Sequence, residues 1–505
     1  MKTLIKGGFV LDLSDFDNPL VLSDVLLENE IIVDVIRRPY NTDIQADNYI
    51  DATDKLLMPG LVNAHLHSET HLQKGLYEGL PLEIWLPCII PVLDSPELNI
   101  RIAYLSAMIG AVHMLKRGIT TIVDHWIDSI PLLDGFSAIV NAYEEIGIRA
   151  LVGIDYSNKP IYEEIPLLGK ALPASLKKKL LAACPTGKGY NDLCINLAKE
   201  YGDKKRRVHA MLAFSAIQRC SDQLLQELGL LSRETGMKLH GHMLETRTQY
   251  VGARHLYQGG IVQHMDKLGI LNDSLFLAHS IWVTSEEAKM MGERGVSVVH
   301  NPVSNLKLGS GIMPMRMLRE SGVNIALGTD GASSNDNLNL FEVMKFTALK
   351  QTIDDVDFKS WPLSADVLKY ATEGGARATG LESDIGKIET GKKADIVIID
   401  LNNTTHLPVN NILGQLVYCE DGRNVETVIV DGKVIVEGGV VKTIDEKSLL
   451  AEVKAIQIDY QERMKKIVET NKVLLPYLEK TYYQSIQEFE LMTVNENGKK
   501  LNLRE

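Results

Sequence analysis

LLMPGLVNAHLH (56–67) reads as a buried β-strand that runs out into paired histidines, and it is the first of eight runs of this kind. The others are GITTIVDHW (118–126), RALVGIDYS (149–157), RRVHAMLAFS (206–215), MKLHGHML (237–244), SLFLAHS (274–280), VSVVHN (296–301) and VNIALGTD (323–330). The first strand is expected to span 56–65. Amphipathic helical stretches separate the runs, which is the pattern of βα units around a parallel sheet. Eight such units predict the α/β class, as a (β/α)8 TIM barrel over 59–387.

Outside that region the character changes. TLIKGGFVLDL, DVLLENEIIVDVIRR and NYIDATDKLLMPG alternate apolar and polar residues between turn signals. The same pattern returns at GKKADIVIIDLNN and VETVIVDGKVIVEGGVV. Residues 1–58 and 388–445 are therefore expected to fold together into a small composite β-sandwich. Residues 446–505 carry helical spacing and form a helical C-terminal extension, packed on the barrel or on another subunit. A homo-oligomer, dimer or tetramer, is expected.

The chain has 505 residues, with 53 Lys and Arg against 66 Asp and Glu, a formal charge of −13. That balance argues against nucleic acid, whose affinity rests on cationic side chains neutralising phosphates. No apolar run is long enough to span a bilayer, so no membrane association is expected. MKTLIKGGFVLDLSD lacks an apolar core of signal-peptide length. The five cysteines are odd in number and show no C-x-x-C spacing, as in a reducing cytoplasm. A cytoplasmic protein is expected.

Chemistry in this fold sits at the C-terminal ends of the strands, and metal-ligating residue types recur there. His65 and His67 end the first strand, His240 and His242 lie on the fifth with Glu245 just beyond, His279 ends the sixth and Asp330 the eighth. Residues i and i+2 of a strand share a face, so His65 and His67 can hold one ion. His242 and Asp330 can complete it from across the barrel. Three histidines and a carboxylate leave a position for water, as a catalytic metal requires. His240 shares the face of His242 one layer deeper and is expected to pack the barrel. His125 and the remaining histidines have no motif behind them.

PGLVNAHLH, HMLET, LAHS, GTDGASSNDNLNLFEVMK and HNPVSNLKLGSGIMPMRML together resemble the amidohydrolase superfamily. Within it they are similar to the 5'-methylthioadenosine/S-adenosylhomocysteine deaminases and the triazine hydrolases. The resemblance runs from about residue 3 to about residue 445. It implies a metal site of His65, His67, His242 and Asp330, with Glu245 as proton shuttle. It implies that His279 orients the attacking water and polarises the substrate, and that Asp330 doubles as base. Binuclear relatives place a lysine at the end of strand 4; MLAFS offers none there, which favours one divalent ion. Zn2+ is expected, with Fe2+ open to the same ligands. Trp85, Asp94, Ser215, His300 and Asn305 are expected to contact a small heterocyclic substrate.

The implied reaction is deamination of an amino-substituted nitrogen heterocycle of purine, pterin or triazine type. Loss of chloride or an alkylamine from a triazine, or opening of a cyclic amide, would use the same residues. A metal-free scaffold would have lost ligands, and all four are present. Two departures bear on the substrate. Ser215 stands roughly where nucleoside deaminases present a histidine after strand 4. In EIWLPCIIPVLDS only Asp94 lies near the place of a glutamate that reads ribose hydroxyls. Adenosine-type thioethers are therefore expected to be poor substrates.

Overall fold

The computed structural model describes residues 1–40, 44–93, 100–127, 132–184, 189–203 and 205–493. Five strands open the chain: β1 Lys2–Leu11, β2 Leu20–Glu28, β3 Ile31–Arg37, β4 Asn48–Asp51 and β5 Lys55–Pro59. Nine more carry the middle: β6 Leu61–Leu66, β7 Ile119–Trp126, β8 Arg149–Ile154, β9 Val208–Ala210, β10 Leu212–Ala216, β11 Leu239–Met243, β12 Leu275–His279, β13 Ser297–His300 and β14 Asn324–Leu327. Four close the flank: β15 Ile396–Asp400, β16 Val425–Val430, β17 Lys433–Glu437 and β18 Val440–Val441.

The middle strands form two parallel sheets, β6-β7-β8-β9 and β10-β11-β12-β13-β14. Every residue of β6, β7, β8, β12 and β13 is buried. That suits strands covered on both faces and explains their continuous apolar runs. The expected fourth strand, 206–215, is two strands. It breaks at Met211, whose N–H donates to Val152 O at 3.0 Å, while Leu212 N–H donates to Lys238 O at 2.9 Å. The stretch thus leaves one sheet and enters the other. At the remaining edges Asp330 N–H donates to His65 O at 3.0 Å. The Asn63 amide bridges to Thr329, accepting from its N–H at 2.9 Å and donating to its Oγ1 at 2.8 Å.

The expected first strand, 56–65, also divides. β5 pairs antiparallel with β15, and β6 begins the parallel sheet beside β7. Gly60 is the switch: a Cβ there would lie 2.0 Å from Thr120 Oγ1. The flanks join through the β5–β15 pair into one continuous nine-stranded sheet rather than two separate ones. It has its own core, including Ile5, Val25, Leu57, Ile396, Ile398 and Ile429.

Arg149, at the start of β8, ties the two parts. It is buried, and its guanidinium donates to Asp395 Oδ2 and Oδ1 at 2.8 and 3.0 Å and also pairs with Asp431. Replacing it by methionine strands the Asp395 carboxylate in the interior. Arg149→Met should lower stability by about 3–5 kcal/mol, the cost of breaking one side of a buried pair. Urea unfolding measures this. The site lies at the other end of the strands, so kcat of the folded fraction should stay near wild type.

Four helices bear on the site: α1 Leu82–Ile89, α2 Arg247–Leu256, α3 Glu446–Asn471 and α4 Leu475–Met492. The last two are the expected helical extension. No helix among the described residues is long and apolar enough to cross a membrane. All five cysteines are free thiols.

Candidate metal centre and cavity

β6 delivers His65 and, just beyond its end, His67; β11 delivers His242; and Asp330 follows β14. The proton on each imidazole is located by what its Nδ1 meets. His67 Nδ1 lies 2.6 Å from His125 O, and His242 Nδ1 lies 2.6 Å from Ser215 O. A carbonyl only accepts, so both Nδ1 atoms carry hydrogen, and in a neutral imidazole the Nε2 atom is then a bare lone pair. His65 reaches the same state through a relay. His240 Nδ1–H donates to Phe276 O at 2.8 Å, so His240 Nε2 accepts from His65 Nδ1–H at 2.8 Å. His240 therefore fixes a tautomer as well as filling space. Only glycine fits between His240 and His242, because a Cβ on Gly241 would lie 2.1 Å from the Phe214 ring.

The bare nitrogens converge. His67 Nε2 and His242 Nε2 are 3.2 Å apart. Asp330 Oδ1 lies 3.4 Å from His67 Nε2 and 3.5 Å from His65 Nε2. His65 Nε2 is buried and has no hydrogen-bond partner. Lone pairs and a carboxylate facing each other in a buried space repel unless a cation sits among them. Burial also holds the His65 and His242 pKa values well below the usual imidazole range, which keeps both neutral. Three imidazoles and one carboxylate with secured outer hydrogen bonds are a donor set that fits a divalent metal.

Glu245 and His279 stand beside this centre, with Glu245 Oε2 3.6 Å from His279 Nε2. His279 Nδ1–H donates to Asn305 Oδ1 at 2.8 Å, leaving Nε2 directed at the cavity. Burial raises the Glu245 carboxyl to about 7; His279 opposes the shift and Asp330 adds to it. A carboxyl so placed exchanges its proton near neutral pH. Asp330 accepts from Ser304 Oγ at 2.6 Å and Gly331 N at 2.8 Å. Leu244, His279, Ser280 and Asp330 all adopt left-handed backbone, with φ of 45°, 71°, 50° and 61°. Each costs a non-glycine residue of order 1–3 kcal/mol, strain of the kind that gathers at functional sites.

These groups line a cavity of about 110 Å3 with His67, His242, Glu245, His279 and Asp330 on its floor. Trp85 and Ser215 line it. His300 and Asn305 lie behind the wall instead. His300 ends β13 pointing into the interior, buried with both ring nitrogens unpartnered, and Asn305 reaches the site through His279. Asp94 falls outside the described residues. Four further charged residues line it without a motif behind them: Glu69, Asp155, Glu164 and Arg219. His125, also unflagged, donates from Nε2 to Asp155 Oδ2 at 2.9 Å, and its carbonyl secures His67.

A profile of the amidohydrolase family matches residues 56–435. The 5-methylthioadenosine/S-adenosylhomocysteine deaminase of Thermococcus onnurineus (strain NA1) is 34% identical over 438 residues, covering 86% of this chain and 94% of that protein. An adenosine deaminase from Xanthomonas campestris, solved with bound zinc, superposes with a TM-score of 0.78 at 27% identity, over 92% of this chain and 98% of that one. The atrazine chlorohydrolase of Arthrobacter aurescens TC1, complexed with zinc, gives 0.79 at 22% identity, over 90% and 100%, a likeness of fold.

Proposed function

The chain belongs to the amidohydrolase family, and from that membership we propose that it is a metal-dependent hydrolase that deaminates an amino-substituted nitrogen heterocycle. The observation that carries this is the convergence of the His67 and His242 Nε2 atoms at 3.2 Å beside Asp330. We read the two parallel sheets as one closed (β/α)8 barrel over 59–387. Residues 1–58 and 388–445 form one composite β domain, and 446–505 a helical extension. The enzyme is read as a cytoplasmic homo-oligomer.

His65, His67, His242 and Asp330 would hold one divalent ion, proposed as Zn2+, with Fe2+ suited to the same ligands. Such an ion lowers the pKa of its water to about 7 and supplies hydroxide at neutral pH. The chain's own residues do the rest. Asp330, its Oδ2 held by Ser304, accepts a proton from the attacking water. Glu245 carries a proton from the water side of the cavity to a ring nitrogen, which makes the adjacent carbon electrophilic. His279 stays in the Nδ1–H form set by Asn305 and presents Nε2 to the water. Water adds to the C=N carbon, the amino group takes up a proton, and ammonia leaves. Trp85 covers the ring and excludes bulk solvent.

Ammonia release across adenosine derivatives, guanine, pterins, cytosine and triazines tests the reading. Release of chloride or alkylamine with no ammonia would replace it by the triazine dechlorinase or alkylamine hydrolase alternative. The substrate test is narrower. Ser215 offers a hydroxyl where the related nucleoside deaminases have an imidazole, so recognition of the adenosine ring and sugar is weakened. Methylthioadenosine should turn over with kcat/KM below about 10^4 M⁻¹s⁻¹, the low end of ordinary enzymes. Steady-state ammonia assays decide it, and a higher value overturns the expectation.

A further inference from the structure

One short stretch of the surface is far more apolar than the rest. Leu349 and Ile353 lie one turn apart on the helix Leu340–Asp354, and Val356, Phe358 and Leu363 follow in the loop after it. Their exposures are 43%, 74%, 98%, 67% and 68%. The same helix already buries Phe341, Met344 and Ala348 against the rest of the fold. A helix apolar on two faces is one covered on both.

The loop holds its apolar side chains outward by bonding its polar groups inward. Trp361 Nε1–H donates to Asp355 O at 2.7 Å, and Ser360 Oγ–H to Asp355 Oδ2 at 2.6 Å. Arg319 donates to Ser360 O at 2.8 Å and Arg316 to Asp355 Oδ2 at 3.2 Å. Leu363 N–H donates to Asp366 Oδ2 at 2.9 Å. A surface fixed in this way loses little freedom when it is covered. Arg316 and Arg319 belong to the segment that leads into β14, so the stretch lies at the opposite end of the strands from Asp330.

Its area and charge identify what covers it. The five side chains expose the equivalent of about three and a half whole ones, roughly 500 Å2 at ~150 Å2 apiece. Each side of a standard interface supplies about 800 Å2, a little over half of it apolar. The stretch thus matches the apolar part of one complete face. Both signs of charge flank it. Lys345 and Lys350, on the helix, have no carboxylate partner among the described residues. Beyond the helix end, Asp355, Asp357 and Glu320 all converge on Arg316. A two-fold axis through the apolar stretch sets the lysines of one copy against the carboxylates of the other, which is the self-complementarity an isologous contact needs. We propose that residues 349–363 form the contact face of a two-fold pair of this chain, with the five apolar side chains at its centre and the lysine and carboxylate poles matched across the axis. This rests on the homo-oligomer reading above and assigns its face. Both cavity mouths stay open in such a pair.

Sedimentation equilibrium of the metal-loaded full chain over a concentration series is the test. Wild type should sediment at twice the 56.1 kDa chain mass, or at four times if pairs associate further. Val356→Asp and Phe358→Asp each put an unpaired charge at the centre of the face. Each should halve the mass and raise the dissociation constant of the pair at least about a hundredfold. Circular dichroism and metal content per chain should match wild type, because both side chains are exposed in a single copy. Val356→Ser adds no charge, serves where an aspartate disturbs the fold, and should loosen the pair at least about tenfold. Lys350→Glu should raise the constant about tenfold at low salt and less at high salt. An unchanged or tighter pair in Lys350→Glu overturns the two-fold arrangement. An oligomer whose mass survives both aspartate variants overturns the face and leaves the homo-oligomer reading standing. A wild type that is monomeric throughout overturns both.

Discussion

His67→Ala should leave a folded protein that binds substoichiometric metal and shows almost no turnover. His67 contributes one of the bare nitrogens, and its Nε2 sits 3.2 Å from that of His242 and 3.4 Å from Asp330 Oδ1. Removing it takes away one of the four proposed ligands and the geometry the four set together, which weakens the hold on the ion. An activating ion is worth several kcal/mol of charge stabilisation, so kcat should fall by at least about 10^3. His67 is partly exposed at the cavity floor, so its loss opens space to water rather than a sealed void. Circular dichroism and melting should therefore stay close to wild type. Metal analysis is the deciding measurement, and full occupancy in this variant sinks the ligand assignment. Chelation of the wild type should mimic the variant, and added Zn2+ should restore only the wild type.

Much of the centre was legible because strand periodicity and strand ends carry it. His65 and His67 share a face by spacing alone, and His242, His279 and Asp330 fall at the ends of apolar runs. The same rule applied to GITTIVDHW and RALVGIDYS points to His125 and Asp155, which the structure pairs at 2.9 Å. Neither stands in a recognisable motif, so a motif-based reading does not single them out. His240 was read as packing, and its burial fits that reading; its further part appears only when Phe276 O and His65 Nδ1 are seen on its two nitrogens. The division of the first strand at Gly60 and of the fourth at Met211 was hidden for a different reason. A change of hydrogen-bonding partner leaves an apolar run uninterrupted, so composition does not mark it.

Glu245→Gln should keep near-wild-type metal content and lower kcat by about 10²–10⁴, the usual worth of positioned acid–base catalysis. Glu245 follows the proposed ligand His242 by three residues, past Leu244 in its left-handed turn. Its carboxylate is buried, accepts from Ser310 Oγ at 3.1 Å and lies 3.6 Å from His279 Nε2. Burial places its proton exchange at about 7, where a shuttle between water and a ring nitrogen works best. Glutamine retains the length, the shape and an oxygen for Ser310, and it carries no titratable proton. Three roles then separate in one variant. A shuttle loses kcat and keeps metal and stability. A structural residue loses melting temperature and keeps kcat. A ligand loses metal. His279 offers a cross-check, because its Nε2 faces the same carboxylate: His279→Ala combined with Glu245→Gln should cost less than the two single losses multiplied, as groups acting on one step do. A near-wild-type kcat in Glu245→Gln would remove the proton path from the mechanism even with fold and metal site intact, and the proton would then have to travel by Asp330 alone.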